Sequence, residues 1–545
     1  MNLIDRITSE ENIAKAIKSV KSNSGSKTPG VDGVTIDKIL QNTEKIITRI
    51  QTELRKTKYI PQPVKRIEIP KANGDMRPLG IPTLYDRIVQ QSIKQILEPI
   101  LDKKFHPNSF GFRPQRSAEH ALALNNHIVN ITKLYFVVDI DIKGFFDNVN
   151  HNKLIKQLYK LNIKNKKILS LIKTILKAKI QLPNGKTIDT NKGTPQGGII
   201  SPLLANVVLN ELDWWIDKQW LGMKLRYPYK HRSHKERAMR ESTNLTEVRF
   251  VRYADDFKLY CRTRDEAEKL FKLVKKFLKE KLKLDISKSK SRVVNIKKTR
   301  SKFLGLEMKA VIKGRKKRIC RTWVGQKAKV NIKNKVKREI ILLKRNKNPS
   351  QVMKFNSVVL GIQNYYRFAT MVSLDLYKIG FTINNILMCR IGRCSRKKDF
   401  FYIRRYPNYN LQVWNVAGLT LFSLQACRHK VPKMFPKEKR CKKLESTEGT
   451  TSKLESKQYN VNWERIRAQV RYLSDSKCGV TGEYIKGNDT FDIHHIKPKA
   501  KGGSDEIQNL VLLKPEVHKK LHSRDAHKFY IGNKKYEELL VSLSE

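Results

Sequence analysis

Apolar positions in the first part of the chain recur every three to four residues. Ile13, Ala16, Ile17 and Val20 form one such set and Ile39, Ile46, Ile47 and Ile50 another, so the spacing predicts helices. Between them, Lys27-Thr28-Pro29-Gly30-Val31-Asp32-Gly33 is rich in turn formers. From Val64 to Pro82 the period shortens to two, with Ile67 and Ile69 separated by charge. Asn73-Gly74 predicts a tight turn joining two strands. Mixed helical and strand segments continue to about Gly305. Ile332, Val336, Ile340 and Leu343 then restore helical spacing within Lys313–Lys347, and a largely helical region is expected as far as Gln425. Ser446–Gln458 is polar and poor in bulky apolar groups, which predicts a linker before a compact C-terminal unit.

Charge narrows the partners. The 545 residues include 112 Lys and Arg against 50 Asp and Glu, a formal net charge of +62. Such a field repels itself unless a polyanion neutralises it, which disfavours an ordinary metabolic enzyme and favours nucleic acid or an anionic membrane. No apolar run approaches the roughly 18 residues that span a bilayer. Asp5, Glu10 and Glu11 make the first residues unlike a signal peptide. Nucleic acid is therefore the expected partner, with no membrane. Residues Lys313–Lys347 hold 15 Lys or Arg and one acid, Glu339, and are expected to form a basic helix that touches it. A second basic stretch covers Arg428–Lys443. Seven cysteines without repeated C-x-x-C pairs fit a reducing compartment.

Two constellations carry candidate chemistry. Tyr135-Phe136-Val137-Val138-Asp139-Ile140-Asp141-Ile142 is an apolar strand interrupted by acids, with Asp139 and Asp141 on one face. Asp255-Asp256 lies between short β-prone runs and suggests the turn of a hairpin. Acids beside apolar strands are costly unless a cation pairs with them. Nucleotidyl transfer supplies a reason, since two Mg²⁺ ions can activate a 3′-hydroxyl and neutralise the leaving pyrophosphate. The other constellation is Asp492-Ile493-His494-His495-Ile496-Lys497-Pro498, followed by Asn509, His518 and His522. On a strand His494 and His495 point to opposite faces, and on a helix His518 and His522 share one. One strand histidine and two helix histidines could then ligate a single cation, leaving the other histidine free.

Several ordered motifs accompany the acids. Arg77-Pro78-Leu79-Gly80-Ile81-Pro82, Phe110-Gly111-Phe112-Arg113-Pro114, Asp141-Ile142-Lys143-Gly144-Phe145-Phe146-Asp147, Gly193-Thr194-Pro195-Gln196-Gly197-Gly198 with Ser201-Pro202, and Tyr253-Ala254-Asp255-Asp256 occur in that order. Lys288 and Phe303-Leu304-Gly305 follow. The set resembles the blocks of reverse transcriptases across about residues 25–310. Leu360-Gly361-Ile362-Gln363-Asn364-Tyr365-Tyr366-Arg367 resembles the thumb signature of one branch, the reverse transcriptase/maturases encoded by group II introns. The histidine run resembles the ββα-metal, or HNH, nucleases.

The resemblance implies an α+β multidomain chain. Its parts would be right-hand polymerase fingers and palm over 1–310, and a helical thumb or X (maturase) domain over 311–425. A small basic DNA-binding region and linker would cover 426–458, and a ββα-metal HNH nuclease domain 459–545. It further implies Asp141, Asp255 and Asp256 as catalytic carboxylates holding two Mg²⁺, with Asp139 a neighbour. Lys71, Arg77, Gln196 and Gly197 would meet the deoxynucleoside triphosphate, and Phe146 would exclude a 2′-hydroxyl. Lys27–Gly33 would help hold template. Tyr365, Tyr366 and Arg367 would offer stacking faces and a cation to RNA.

In the nuclease unit, His495 would be the general base. His494, His518 and His522 would hold one divalent metal (Mg²⁺, Mn²⁺ or Zn²⁺), and Asn509 would brace the loop. Cys478 and Val517 stand where relatives often place paired cysteines, so apolar packing is expected there instead of a structural zinc. The implied partners are intron RNA in a ribonucleoprotein, double-stranded target DNA and deoxynucleoside triphosphates. The expected function is splicing of the intron RNA, nicking of DNA and copying of the RNA from that nick. The expected compartment is the bacterial cytoplasm, with an organelle the alternative. The rivals are an RNA-binding splicing factor with inactive sites, a retron or diversity-generating reverse transcriptase, and a free-standing homing nuclease.

Overall fold

A computed structural model describes the chain apart from residues 1, 24, 71–75, 196, 224, 226, 228, 316, 437–469, 472–473, 475–476, 486–490, 499–502, 505, 524 and 545. It divides into two units. One is Met1–Arg393 with Phe422–Phe435, and the other is Cys394–Leu421 with Pro436–Glu545.

The larger unit begins with the expected helices. Ser9 caps Glu10–Ser22 by accepting the Asn12 N–H, and Ile13, Ala16, Ile17 and Val20 are buried along one stripe. Strands β1 (Val64–Pro70) and β2 (Met76–Ile81) pair antiparallel, with Pro70 opposite Met76. They share a sheet of order β2-β1-β4-β5 with β4 (Ile180–Gln181) and β5 (Thr187–Ile188), after β3 (Phe136–Ile140) has entered a second sheet. The Asn73-Gly74 turn lies outside the described residues.

That second sheet has the order β6-β7-β3-β8 and is antiparallel throughout, with β6 (Arg249–Tyr253), β7 (Asp256–Cys261) and β8 (Arg292–Asn295). The helix Ser201–Lys218 shares its core. Leu203, Leu204, Val207, Val208, Leu212 and Ile216 are all buried, so this helix is apolar nearly all round. Phe257 and Leu259 of β7 and Val138 and Ile140 of β3 belong to the same core.

One expectation is corrected. Residues 313–324 are not the start of a basic helix. They form a hairpin between β10 (Leu306–Lys313) and β11 (Lys317–Val324), with Gly314 at φ +67° in the turn, and β9 (Ser301–Phe303) completes the sheet. Burial alternates along β11, with Cys320, Thr322 and Val324 buried, and the β-prone Ile319, Thr322, Trp323 and Val324 favour the pleat over the helix. The basic helix begins later, at Gln326, and runs to Arg345 with Ile332, Val336, Ile340 and Leu343 buried. Helices Pro349–Tyr366 and Val372–Ile391 follow.

In the smaller unit, β12 (Asn415–Val416) pairs with β13 (Leu419–Thr420). Farther along, β14 (Asp492–His495) pairs antiparallel with β15 (Leu510–Leu513), and the helix Pro515–Leu521 follows. Cys478, Val480, Ile485, Leu512, Leu513, Val517, Leu521, Tyr536 and Leu539 form the core. Arg471 bridges the two parts, its guanidinium 4.5 Å from the Phe400 ring centre and 4.6 Å from that of Phe491. The expected linker, Ser446–Gln458, lies outside the described residues, as does the end of the basic stretch beyond Pro436. Among the described residues, no helix is long and apolar enough to cross a membrane.

Candidate active sites

Tyr253 and Asp256 face each other across the β6–β7 hairpin, so Ala254-Asp255 is its two-residue turn. Ala254 sits at φ +57°, as a tight hairpin turn demands. The pairing of Ile140 with Phe257 ends the β3–β7 ladder, and one further step of that register sets Asp141 opposite Asp256. Asp141 thus lies just past the strand end. Its N–H donates to the Ser291 hydroxyl at 3.1 Å, and Lys290 Nζ stands 3.4 Å from its carboxylate.

Asp139 has other partners. It forms an ion pair with the buried Lys258, its partner in the β3–β7 register, and accepts from the Ser301 hydroxyl at 3.0 Å. Burial pushes the Asp256 carboxyl up to about 6, with Asp139 and Asp255 adding to the rise. The Lys258 ammonium and the Leu304 N–H pull it back.

Three side chains below the turn escaped the sequence reading. Arg252 and Asp213 are each 1% exposed. The guanidinium donates to Asp213 at 2.7 and 2.8 Å, to Asn206 Oδ1 at 3.0 Å and to the Ala254 carbonyl at 2.8 Å. It therefore anchors the hairpin turn to the helix Ser201–Lys218. The signal was present as a charge in an apolar strand and an acid in an apolar helix. Gly111 completes the brace, because a Cβ there would lie 2.2 Å from the Ala254 nitrogen. The Asn206 amide donates to the Gly111 carbonyl at 2.9 Å.

Phe146 is half-buried and meets the Phe112 ring edge-on at 6.4 Å. Its carbonyl accepts the Thr194 N–H at 2.6 Å, which ties the Gly193–Gly198 loop to the Asp141–Asp147 run. Gly197, at φ +115°, packs so closely on Gly80 that a Cβ would sit 2.2 Å from its carbonyl oxygen. Lys71 and Gln196 lie outside the described residues. Arg77 pairs with Ile69 through its backbone. Lys288 is exposed. Arg87 holds the Lys27–Gly33 loop, donating to the Thr28 carbonyl at 2.8 Å. Tyr365 and Tyr366 end the helix Pro349–Tyr366 with rings 4.9 Å apart, and Arg367 is half-buried beside Asn364. The Tyr365 hydroxyl donates to the Leu304 carbonyl at 3.2 Å.

In the smaller unit the histidines converge. His494 pairs with Val511 and His495 with Leu510, so they face opposite sides of the hairpin. His494, His518 and His522 present ring nitrogens all within 4.8 Å of one another. His494 is buried and its Nε2 has no hydrogen-bond partner, as suits a nitrogen aimed at a metal. Burial pushes its pKa down to about 4, and His518, His522 and His495 push the same way, so the ring stays neutral and its lone pair available. Asp492, unassigned from sequence, accepts from His518 Nδ1 at 3.1 Å and can orient that ring. Its position two residues before His494, on the same strand face, was the signal.

Asn509 spans the loop between strand and helix. Its amide donates to the Lys497 and Ser504 carbonyls at 3.0 and 2.9 Å, and its Oδ1 accepts the Lys497 N–H at 2.7 Å. Cys478 and Val517 are buried in the apolar core.

The family comparisons meet these two sites. A reverse transcriptase (RNA-dependent DNA polymerase) model matches residues 69–308, and an HNH endonuclease model matches 476–524. The group II intron-encoded protein LtrA of Lactococcus lactis subsp. cremoris is 33% identical over 345 residues, covering 56% of each chain. The chain belongs to the group II intron-encoded reverse transcriptase/maturase family, with an HNH endonuclease domain. Protein YkfC of Escherichia coli K12 is 34% identical over 305 residues, or 54% of this chain and 79% of that one. The COX1/OXI3 intron 2 protein of Saccharomyces cerevisiae is 28% identical, over 54% of this chain and 37% of that one. The chain thus spans most of YkfC but about half or less of the other two. The carboxylate hairpin lies inside the reverse transcriptase match and the three histidines inside the HNH match.

Proposed function

We propose that this reverse transcriptase/maturase binds its intron RNA, promotes its splicing, and then, as a ribonucleoprotein, nicks target DNA and copies the RNA from the nick. The observation that carries the reading is one chain holding a strand-paired carboxylate hairpin and a converged histidine triad. A nick leaves a 3′-hydroxyl, which is the primer a polymerase needs, so the product of one site feeds the other. The net charge of +62 suits a surface that compacts RNA by favouring its folded form.

In this reading the larger unit is a right hand. The Asp141 and Asp255-Asp256 sheet is the palm, β1 and β2 belong to the fingers, and the helices from Gln326 are the thumb. Asp141, Asp255 and Asp256 would hold two Mg²⁺, which when bound lower the barrier to attack by the primer hydroxyl. Arg252 and Gly111 fix the turn that presents Asp255. Lys258 neutralises Asp139, which leaves Asp139 a supporting charge. Lys71, Arg77, Gln196 and Gly197 would meet the incoming deoxynucleoside triphosphate. Phe146, wedged against Phe112, would close the space a 2′-hydroxyl needs. Tyr365 and Tyr366, at the end of the helix Pro349–Tyr366, and Arg367 after it would offer stacking faces and a cation to RNA.

His494, His518 and His522 would hold one divalent ion, Mg²⁺, Mn²⁺ or Zn²⁺, which supplies charge stabilisation at the cleaved phosphate. His495, on the opposite strand face, takes a proton from the attacking water. Asp492 keeps His518 in the ligating tautomer. The basic stretch from Arg428 would meet double-stranded DNA. The bacterial relatives support a bacterial cytoplasmic setting.

The test separates the activities. Asp255→Ala should abolish cDNA synthesis on an intron RNA template while splicing persists, and His495→Ala should block only the primer-strand nick. Undiminished nicking by His495→Ala would overturn the nuclease assignment, and undiminished extension by Asp255→Ala the polymerase one.

A further inference from the structure

We infer that Tyr365 is a positioning residue for Asp256, acting through the Leu304-Gly305 turn; this deepens the polymerase reading above and rests on it. The turn joins β9 to β10 with both residues at positive φ, +49° at Leu304 and +74° at Gly305. Glycine accepts that conformation freely, whereas leucine resists it, so outside contacts must hold Leu304 there.

Two contacts grip Leu304 from opposite ends. Its N–H lies near enough to the Asp256 carboxylate to act on it. Its carbonyl accepts the Tyr365 hydroxyl at 3.2 Å. Gly305 is held in turn, its carbonyl accepting the Gly325 N–H at 2.9 Å, and the Tyr366 hydroxyl lies 3.7 Å from where a Gly305 Cβ would stand.

The consequence is a chain of contacts running from a helix end to a carboxylate. Tyr365 lies 61 residues beyond Leu304, on the last turn of Pro349–Tyr366. Its hydroxyl reaches the turn only when that helix is seated on the sheet. Burial and the nearby Tyr366, Tyr253 and Asp256 raise the Tyr365 hydroxyl's pKa, so it remains a donor at working pH. With Tyr365 in place, Leu304 presents its N–H to Asp256 and fixes one carboxylate orientation. Without the hydroxyl, the turn is free to relax toward negative φ, and that N–H swings away. The ring, 46% exposed, would serve equally as a surface for RNA bases, and the experiment must tell the two roles apart.

Full-length Tyr365→Phe keeps the ring and deletes the donor. Primer extension on an RNA template should show kcat reduced about three- to tenfold, the range for one neutral hydrogen bond. The nucleotide KM and the primer–template Kd should stay within about twofold, the scatter expected of a change that removes no binding contact. Hydrogen exchange at the Leu304–Leu306 amides should quicken. Mn²⁺ affinity, read by spin resonance on protein free of nucleic acid and in a His518→Ala background, should weaken.

Tyr377→Phe, the same change at an exposed ring on the next helix, should move none of these. An unchanged kcat with unchanged exchange overturns the proposal. So does a weakened primer–template Kd with full kcat at saturation, which would make Tyr365 a nucleic-acid contact. If the unaltered protein extends no primer, the polymerase reading is what falls. The exchange and Mn²⁺ comparisons use no substrate and still decide for or against Tyr365.

Discussion

The two candidate metal sites differ in how far the protein alone assembles them. His494, His518 and His522 have donor atoms gathered within 4.8 Å, and among the described residues Asp141, Asp255 and Asp256 do not form such a group. The chemistry of the ligands explains the contrast. Neutral imidazoles can share a pocket without repulsion, whereas three carboxylates crowd negative charge into one place. The protein handles the acids by scaffolding instead. Strand register sets Asp141 opposite Asp256, Lys258 neutralises Asp139, and Arg252 ties down the turn from beneath. The lesson is that one site is built around its ligands and the other around their supports.

The largest way to break this comparison is to remove a support. Arg252→Met strands Asp213 as a buried, unpaired charge, which should cost about 3–5 kcal/mol in urea unfolding of the larger unit. Arg252→Met with Asp213→Leu should recover most of that stability. Primer extension should stay low in the double variant, because the Ala254 carbonyl still lacks its donor. Full activity there would show that the pair only stabilises.

A second test concerns the histidines. Asp492→Asn weakens the acceptor on His518 and should lower metal affinity about 10- to 100-fold by calorimetry, with nicking falling alongside. Primer extension should be untouched, and a loss of both activities would contradict separate sites.

The smallest effect is on pH. The folded His494 pKa, about 4, lies below the ordinary histidine value of 6.5, so the unfolded state takes up a proton before the folded state does. Stability of the metal-free smaller unit is then full above about pH 6.5 and declines toward pH 4. Urea midpoints at pH 7, 5.5 and 4.5 should track this, and His494→Gln should flatten the slope. A midpoint that rises on acidification would refute the assignment.

Much of this was legible beforehand. Periodicity located the N-terminal helices and the β1–β2 pair, because both patterns are local. Asp255-Asp256 suggests a hairpin turn, which forms one residue earlier at Ala254-Asp255, and His494 and His495 read as opposite faces for the same reason. Residues 313–324 of the β10–β11 hairpin fall inside the basic stretch expected to be helix, since their charge is more conspicuous than the alternation of burial along β11. Arg252, Asp213, Lys258 and Asp492 went unassigned, although each is a charge in an apolar or metal-ligating setting. Their partners are distant in sequence. Asp213 lies 39 residues from Arg252, and Asp139 lies 119 from Lys258.

By itself the sequence determined the chemical vocabulary: which acids, imidazoles and cations exist, in what order, and with what local geometry. Tertiary structure alone decided which of them meet. It gave Asp139 to Lys258, set Asp492 against His518, and seated Tyr365 on the Leu304 carbonyl. Hydrogen bonds and ion pairs reach only a few ångströms. The chain must therefore fold before a charge has a partner, and no spacing along the sequence can state which one it will be.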